Sequence, residues 1–233
     1  MTFCRSNTSI IYTYSVNNIP LKISNNSVKV LGFNLTCNLC PNMHIQMICC
    51  KALKLLGFIN RISTEFHLLS PLKTLFCSLV RPILEYGTVI WDPFTAYTRN
   101  MIKRVQRKFL HHAAHKLNVP CPPHDYTPIQ RLLSLESLAD RRHSANILFL
   151  TNLLSSKIES PDSLSRVSFN VLCRRTRSSA PFHIPFSSSN YYLNSPIIRI
   201  ICALPIPTLL SLFKISLVSV EHSISNTFMI FYL

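Results

Sequence analysis

Apolar and polar positions along this chain follow two different periods. Ile10 to Val16 is dense in β-branched and aromatic residues and predicts a strand, with Asn17-Asn18 as a turn. Lys29 to Leu35 alternates, with Leu31, Phe33 and Leu35 on one side, as a half-buried strand does. After Pro41 the period becomes helical: Ile45, Ile48, Ala52, Leu55, Leu56 and Ile59 share one face. Ser70 and Pro71 suit the N-cap and first turn of a second helix, with Leu72, Leu75, Phe76, Leu79 and Val80 as its stripe. Arg81-Pro82 is expected to end or kink it. A third helix is predicted from about Thr98 to Leu117, burying Ile102, Val105, Phe109, Ala113 and Leu117.

Asn118 to Pro128 holds four prolines and reads as a linker or long loop. Thr127-Pro128 then caps a helical segment with Ile129, Leu132 and Leu133 inside, and a longer helix follows through Leu138, Ala145, Phe149 and Leu153. Ser155 to Pro196 is rich in Ser and Pro and is expected to be weakly ordered. The expected fold is mainly α with a small N-terminal β hairpin or meander, an α+β chain. Its segments are residues 1–40 (β), 41–118 (helical bundle), 119–155 (helical connector), 156–196 (Ser/Pro/Arg-rich) and 197–233 (apolar tail).

Charge sharpens this picture. Lys and Arg number 24 against 9 Asp and Glu, a formal net charge of +15, which favours a polyanionic partner. The third helix concentrates the excess. Arg99, Lys103, Arg104, Arg107, Lys108, His111, His112, His115 and Lys116 surround its apolar face, and no acidic residue occurs between Asp92 and Asp125. Several of these cations could reach consecutive phosphates, which gives affinity without sequence preference. The plainer reading is an ordinary solvated helix face. Arg174, Arg175 and Arg177 form a second basic cluster, read as a flexible phosphate contact.

Other chemistry is limited. Three glycines exclude a Gly-rich phosphate loop. Nine cysteines, an odd number without framework spacing, point to reduced thiols in the nucleus or cytoplasm, and no signal peptide is evident. Cys37, Cys40, His44 and Cys49 have the spacing C-x2-C-x3-H-x4-C, one residue short of a zinc knuckle. His44 and Cys49 would point apart on a helix, so buried thiols and a surface histidine are expected instead. His111 and His115, at i and i+4, are read as part of the basic face, and Tyr86 and Trp91 as core. In the apolar stretch Ile197 to Val220, Arg199 and Lys214 leave only Ile200 to Phe213 uncharged, and Pro205 and Pro207 interrupt it. A membrane span is not expected.

One run of residues carries a family resemblance. It reads Leu79-Val80-Arg81-Pro82-Ile83-Leu84-Glu85-Tyr86-Gly87, then Val89-Ile90-Trp91-Asp92-Pro93, then Val105-Gln106-Arg107-Lys108-Phe109. It resembles the region after the catalytic palm in reverse transcriptases of non-LTR (LINE-type, jockey-like) retrotransposons. Shorter pieces are similar too: Met1 to Arg5, Val30-Leu31-Gly32-Phe33, His44-Ile45, Lys51-Ala52, Leu56-Gly57-Phe58 with Arg61, and Asn194-Ser195-Pro196-Ile197 with Arg199. Val30 stands where the relatives usually carry an acid, and no match is evident after about Leu204.

The resemblance implies a palm remnant at residues 1–40 and a thumb at 41–118 that grips the backbone of a template–primer duplex of RNA or DNA. The family activity is RNA-directed DNA polymerisation, which needs two divalent metals held by carboxylates. This chain has no acidic residue before Glu65 and no two adjacent acids. The expectation is therefore a catalytically incomplete transposable-element fragment with no catalytic residue, no metal site and no cofactor of its own. Magnesium would enter only if an upstream palm-containing polypeptide supplied its site. The rival expectations are a non-enzymatic helical interaction protein and a membrane-associated protein held by the apolar tail.

Overall fold

The computed structural model describes residues 12–21, 27–63, 69–170, 182–186 and 190–203. The chain divides into two compact units, residues 1–140 and 141–233. It is mainly helical with short antiparallel strand pairs, as the hydropathy pattern predicts.

Strands β1 (Ser15–Val16) and β2 (Ile19–Pro20) pair across Asn17-Asn18, both at positive φ. Strands β3 (Ser27–Val30) and β4 (Phe33–Thr36) pair with Val30 opposite Phe33. Leu31 and Gly32 between them have φ of 48° and 86°, so both central residues are left-handed, which matches the twist of a two-residue hairpin. Lys29 to Leu35 is thus two strands and a turn rather than one strand. Leu31 is exposed at the turn, whereas Phe33 is buried.

Helix α1 (Asn42–Ile62) buries Ile45, Ala52, Leu56 and Ile59 as its period dictates, and also His44 and Cys49. His44 is a correction: it is not a surface residue but 4% exposed. Helix α2 (Leu69–Leu75) begins one residue before the expected cap, so Ser70 lies in its first turn. It does not stop at Arg81-Pro82. A π-helical turn, Phe76–Val80, joins it to α3 (Arg81–Glu85), and the Arg81 N–H reaches the Phe76 carbonyl five residues back. A proline ring crowds the carbonyl four residues before it. The wider turn ahead of Pro82 relieves that clash.

A short α4 (Thr88–Trp91) leads to α5 (Ala96–Lys116). The Thr95 side chain caps α5 by accepting from the Thr98 N–H at 3.3 Å. Helices α1, α2, α3 and α5 share one core. Phe76 stacks on Phe109 at 4.1 Å between ring centres, beside Ile45, Leu72, Val80, Leu84, Ile102 and Val105. Burying each such side chain contributes about 1.5–3 kcal/mol. Helix α6 (Thr127–Leu132) adds Ile129 and Leu133 to it, but Leu132, expected inside, is exposed. The entry to α6 is held by Asp125, whose carboxylate accepts from the Thr127 N–H and hydroxyl, rather than by Thr127 itself.

Helix α7 (Leu138–Leu154) starts at the end of the first unit and runs into the second. The second unit also holds α8 (Pro161–Leu164), β5 (Ser168–Phe169) paired with β6 (Phe182–His183), α9 (Asn190–Leu193) and α10 (Pro196–Ala203). Its buried residues include Leu150, Leu153, Val167, Phe182 and Ile200. Among the described residues no helix is long and apolar enough to cross a membrane. Most of the Ile197 to Val220 stretch lies outside them.

Candidate nucleic-acid interface

The site begins with a latch. The Tyr86 hydroxyl donates to the Leu31 carbonyl at 3.1 Å, and its ring stacks on Phe33 at 5.3 Å. Tyr86 is therefore a half-exposed clasp over the hairpin turn, not the core residue its apolar neighbours suggest. Gly87 is left-handed at φ 61°, and a Cβ there would come 2.2 Å from Phe33 Cζ. Only glycine meets both demands. Trp91 is buried as expected, and its indole N–H donates to the Tyr86 carbonyl at 2.8 Å.

His44 completes the cluster between Phe33 and Trp91, with ring centres at 5.4 and 5.6 Å. Its Nδ1 accepts from the Asn34 N–H at 3.3 Å, which puts the proton of the neutral ring on Nε2. Burial lowers its pKa below the ordinary histidine value. Two sequence pieces 55 residues apart, Leu31-Gly32-Phe33 and Tyr86-Gly87, thus form one contact.

The loop before α5 is held by a separate set of bonds. The Arg99 Nε donates to the Pro93 carbonyl at 3.1 Å and its Nη2 to that of Phe94 at 2.9 Å. It holds the loop before α5 while remaining exposed. Gln106 is buried. Its amide donates to the Glu136 carbonyl at 2.9 Å and accepts from the Leu138 N–H at 3.1 Å, which anchors the opposite side of α5.

Lys103, Arg104, Arg107 and Lys108 are exposed within two turns of α5. Among the described residues none of the four makes an ion pair. Arg104, Arg107 and Lys108, with His111, His112 and His115, form one wall of a cleft of about 670 Å³. Leu53, Leu56, Gly57 and Asn60 of α1 form the other wall, and His124 and Tyr126 close one end. Among the described residues no acidic side chain lines it. The nearby Asp125 carboxylate is tied to Thr127, which holds its pKa below the usual range.

His112 is the most enclosed of the cleft histidines. Its Nε2 lies 2.9 Å from the Ser63 hydroxyl, which itself donates to the Asn60 carbonyl. Burial, then the charges of Lys116, His115 and His111, lower its pKa. Burial is the larger cause, and the neighbouring cations act in the same direction. Lys103 and Lys116 lie on α5 outside the cleft. Arg174, Arg175 and Arg177 lie outside the described residues.

The sequence pattern missed His124 and Tyr126, because the loop that returns them to α5 is a non-local fold of a proline-rich segment. Among the described residues no three His, Cys, Asp or Glu side chains are placed to hold a metal ion. No protein-family model, curated protein or solved structure matches this chain.

Proposed function

We propose that the first unit is a thumb-like grip on nucleic-acid backbone, of the kind the resemblance to non-LTR retrotransposon reverse transcriptases implies, without polymerase chemistry of its own. The carrying observation is the cluster Lys103, Arg104, Arg107 and Lys108, exposed on α5 with no acidic partner among the described residues. From Lys103 to Lys108 the helix rises roughly 7.5 Å, about two phosphate steps of a strand. The latch supports the same reading, because it brings two of the resembling motifs into one contact. The absence of adjacent acids from the sequence argues against nucleotide transfer.

The partner is RNA or DNA of the template–primer kind that the resemblance implies, held in the first place through the phosphates of its backbone, and a palm-bearing polypeptide is a natural companion. A nuclear or cytoplasmic location follows from this reading. The test is a chain in which all four cations become glutamate. Duplex affinity at about 50 mM salt is expected to fall at least about a hundredfold. Unchanged affinity would leave a helical interaction scaffold as the better account.

A further inference from the structure

We propose that the cleft between α1 and α5 receives one unstacked nucleotide, so that the protein prefers single-stranded nucleic acid to uniform duplex. This rests on the backbone-binding reading and deepens it.

The two walls differ in chemistry. Arg104, Arg107 and Lys108 supply charge on α5, while the half-buried Leu53 and the open backbone at Gly57 on α1 supply an apolar surface. A bare phosphate site has no use for the second wall. A nucleotide has a use for both, because its phosphate is anionic and its base has two apolar faces. The volume, about 670 Å³, lies within the range of small-ligand clefts, whereas a stacked base pair in a duplex offers no such projection.

Tyr126 closes the end of the cleft, edge-on to His111 at 6.1 Å between ring centres. An aromatic ring beside cations is the arrangement on which bases stack irrespective of sequence. Among the described residues the enclosed Asn60 side-chain oxygen has no hydrogen-bond partner, and Asn60 lines the same cleft. A small rotation would turn this amide to the edge of a bound base.

Gly57 provides a clean lever. A Cβ added there meets nothing within 4 Å, so the space above it is open. Gly57 lines the cleft, so a large side chain there is expected to occupy it while every α5 cation is kept. Gly57→Trp is therefore the plug, Gly57→Ala its control, and Tyr126→Ala an independent variant that removes the stacking ring.

The full chain is titrated against fluorescent oligothymidylate and oligouridylate of about twelve nucleotides and against a blunt duplex of equal length, read by anisotropy. Single strands are expected to bind at least about tenfold tighter than duplex, with the two strands distinguishing DNA from RNA preference. Gly57→Trp should abolish the difference with duplex binding retained, Tyr126→Ala should shrink it, and Gly57→Ala should keep it. Equal binding of strand and duplex by the parent chain, or a preference that survives both Gly57→Trp and Tyr126→Ala, overturns the cleft assignment and leaves the backbone grip standing. No binding to any of the three probes removes both.

Discussion

The Phe33 ring occupies the space that a side chain on Gly87 would need: a Cβ there would lie 2.2 Å from Cζ and 2.6 Å from Cε1. Gly87→Ala therefore has two costs, a left-handed alanine and a clash with a buried ring. A loss of more than about 2 kcal/mol is expected from chemical denaturation. In a Phe33→Ala background the clash disappears, and the cost of Gly87→Ala should drop to about 1 kcal/mol. Equal costs in the two backgrounds would mean that the hairpin does not dock there.

Tyr86→Phe keeps the ring on Phe33 and removes only the donor to the Leu31 carbonyl. The loss should be about 0.5–1.5 kcal/mol, with fast hydrogen exchange confined to the β3–β4 hairpin. Protection losses spread over α5 would contradict a local clasp.

The helices were legible in the sequence, and the latch was not. The spacings of Ile45, Ala52, Leu56 and Ile59, and of Ile102, Val105, Phe109 and Ala113, depend only on the helical period, and all eight are buried. The alternation from Lys29 to Leu35 continues across a two-residue turn without a break, so hydropathy alone could not show that Leu31 leaves the sheet. Tyr86 and Trp91 share one apolar motif, yet only Trp91 is buried, because the Tyr86 hydroxyl finds a carbonyl on a distant hairpin. Arg99 has the spacing of a phosphate contact, and that spacing does not show its bonds to the carbonyls of Pro93 and Phe94. Half of the cleft was legible, since its α5 wall is a run of charge. Tyr126 and His124 arrive through the chain's return, which no local pattern encodes.

Acid should loosen the first unit. His44 and His112 both have folded pKa values below the ordinary 6.5, so the unfolded chain takes up protons first as pH falls. Their contribution is fully present above about 6.5 and is lost as pH drops through the lowered values. The melting temperature should therefore fall between pH 7.5 and pH 5. His44→Gln retains a side-chain acceptor for the Asn34 N–H and cannot titrate, so it should flatten that fall. An identical fall in this variant would contradict the assignment to His44.

Gln106→Leu would leave the buried Leu138 N–H and the Glu136 carbonyl without their partners. A cost of about 2–4 kcal/mol is expected from denaturant unfolding. Gly57→Ala, by contrast, adds a methyl group in open space on a helix and should stabilise α1 by about 1 kcal/mol. A destabilising Gly57→Ala would show that the cleft wall is not as open as described.

The central claim is that α5 holds nucleic acid by its phosphates, and the salt dependence of duplex binding tests it most directly. The measurement is the slope of log affinity against log salt, for the parent chain and for a variant with Lys103, Arg104, Arg107 and Lys108 changed to glutamine. Each phosphate contact contributes about 0.9 to the slope, so losing four should reduce its magnitude by about 3.6. An unchanged slope, or affinity in the parent chain that does not vary with salt, would contradict the claim.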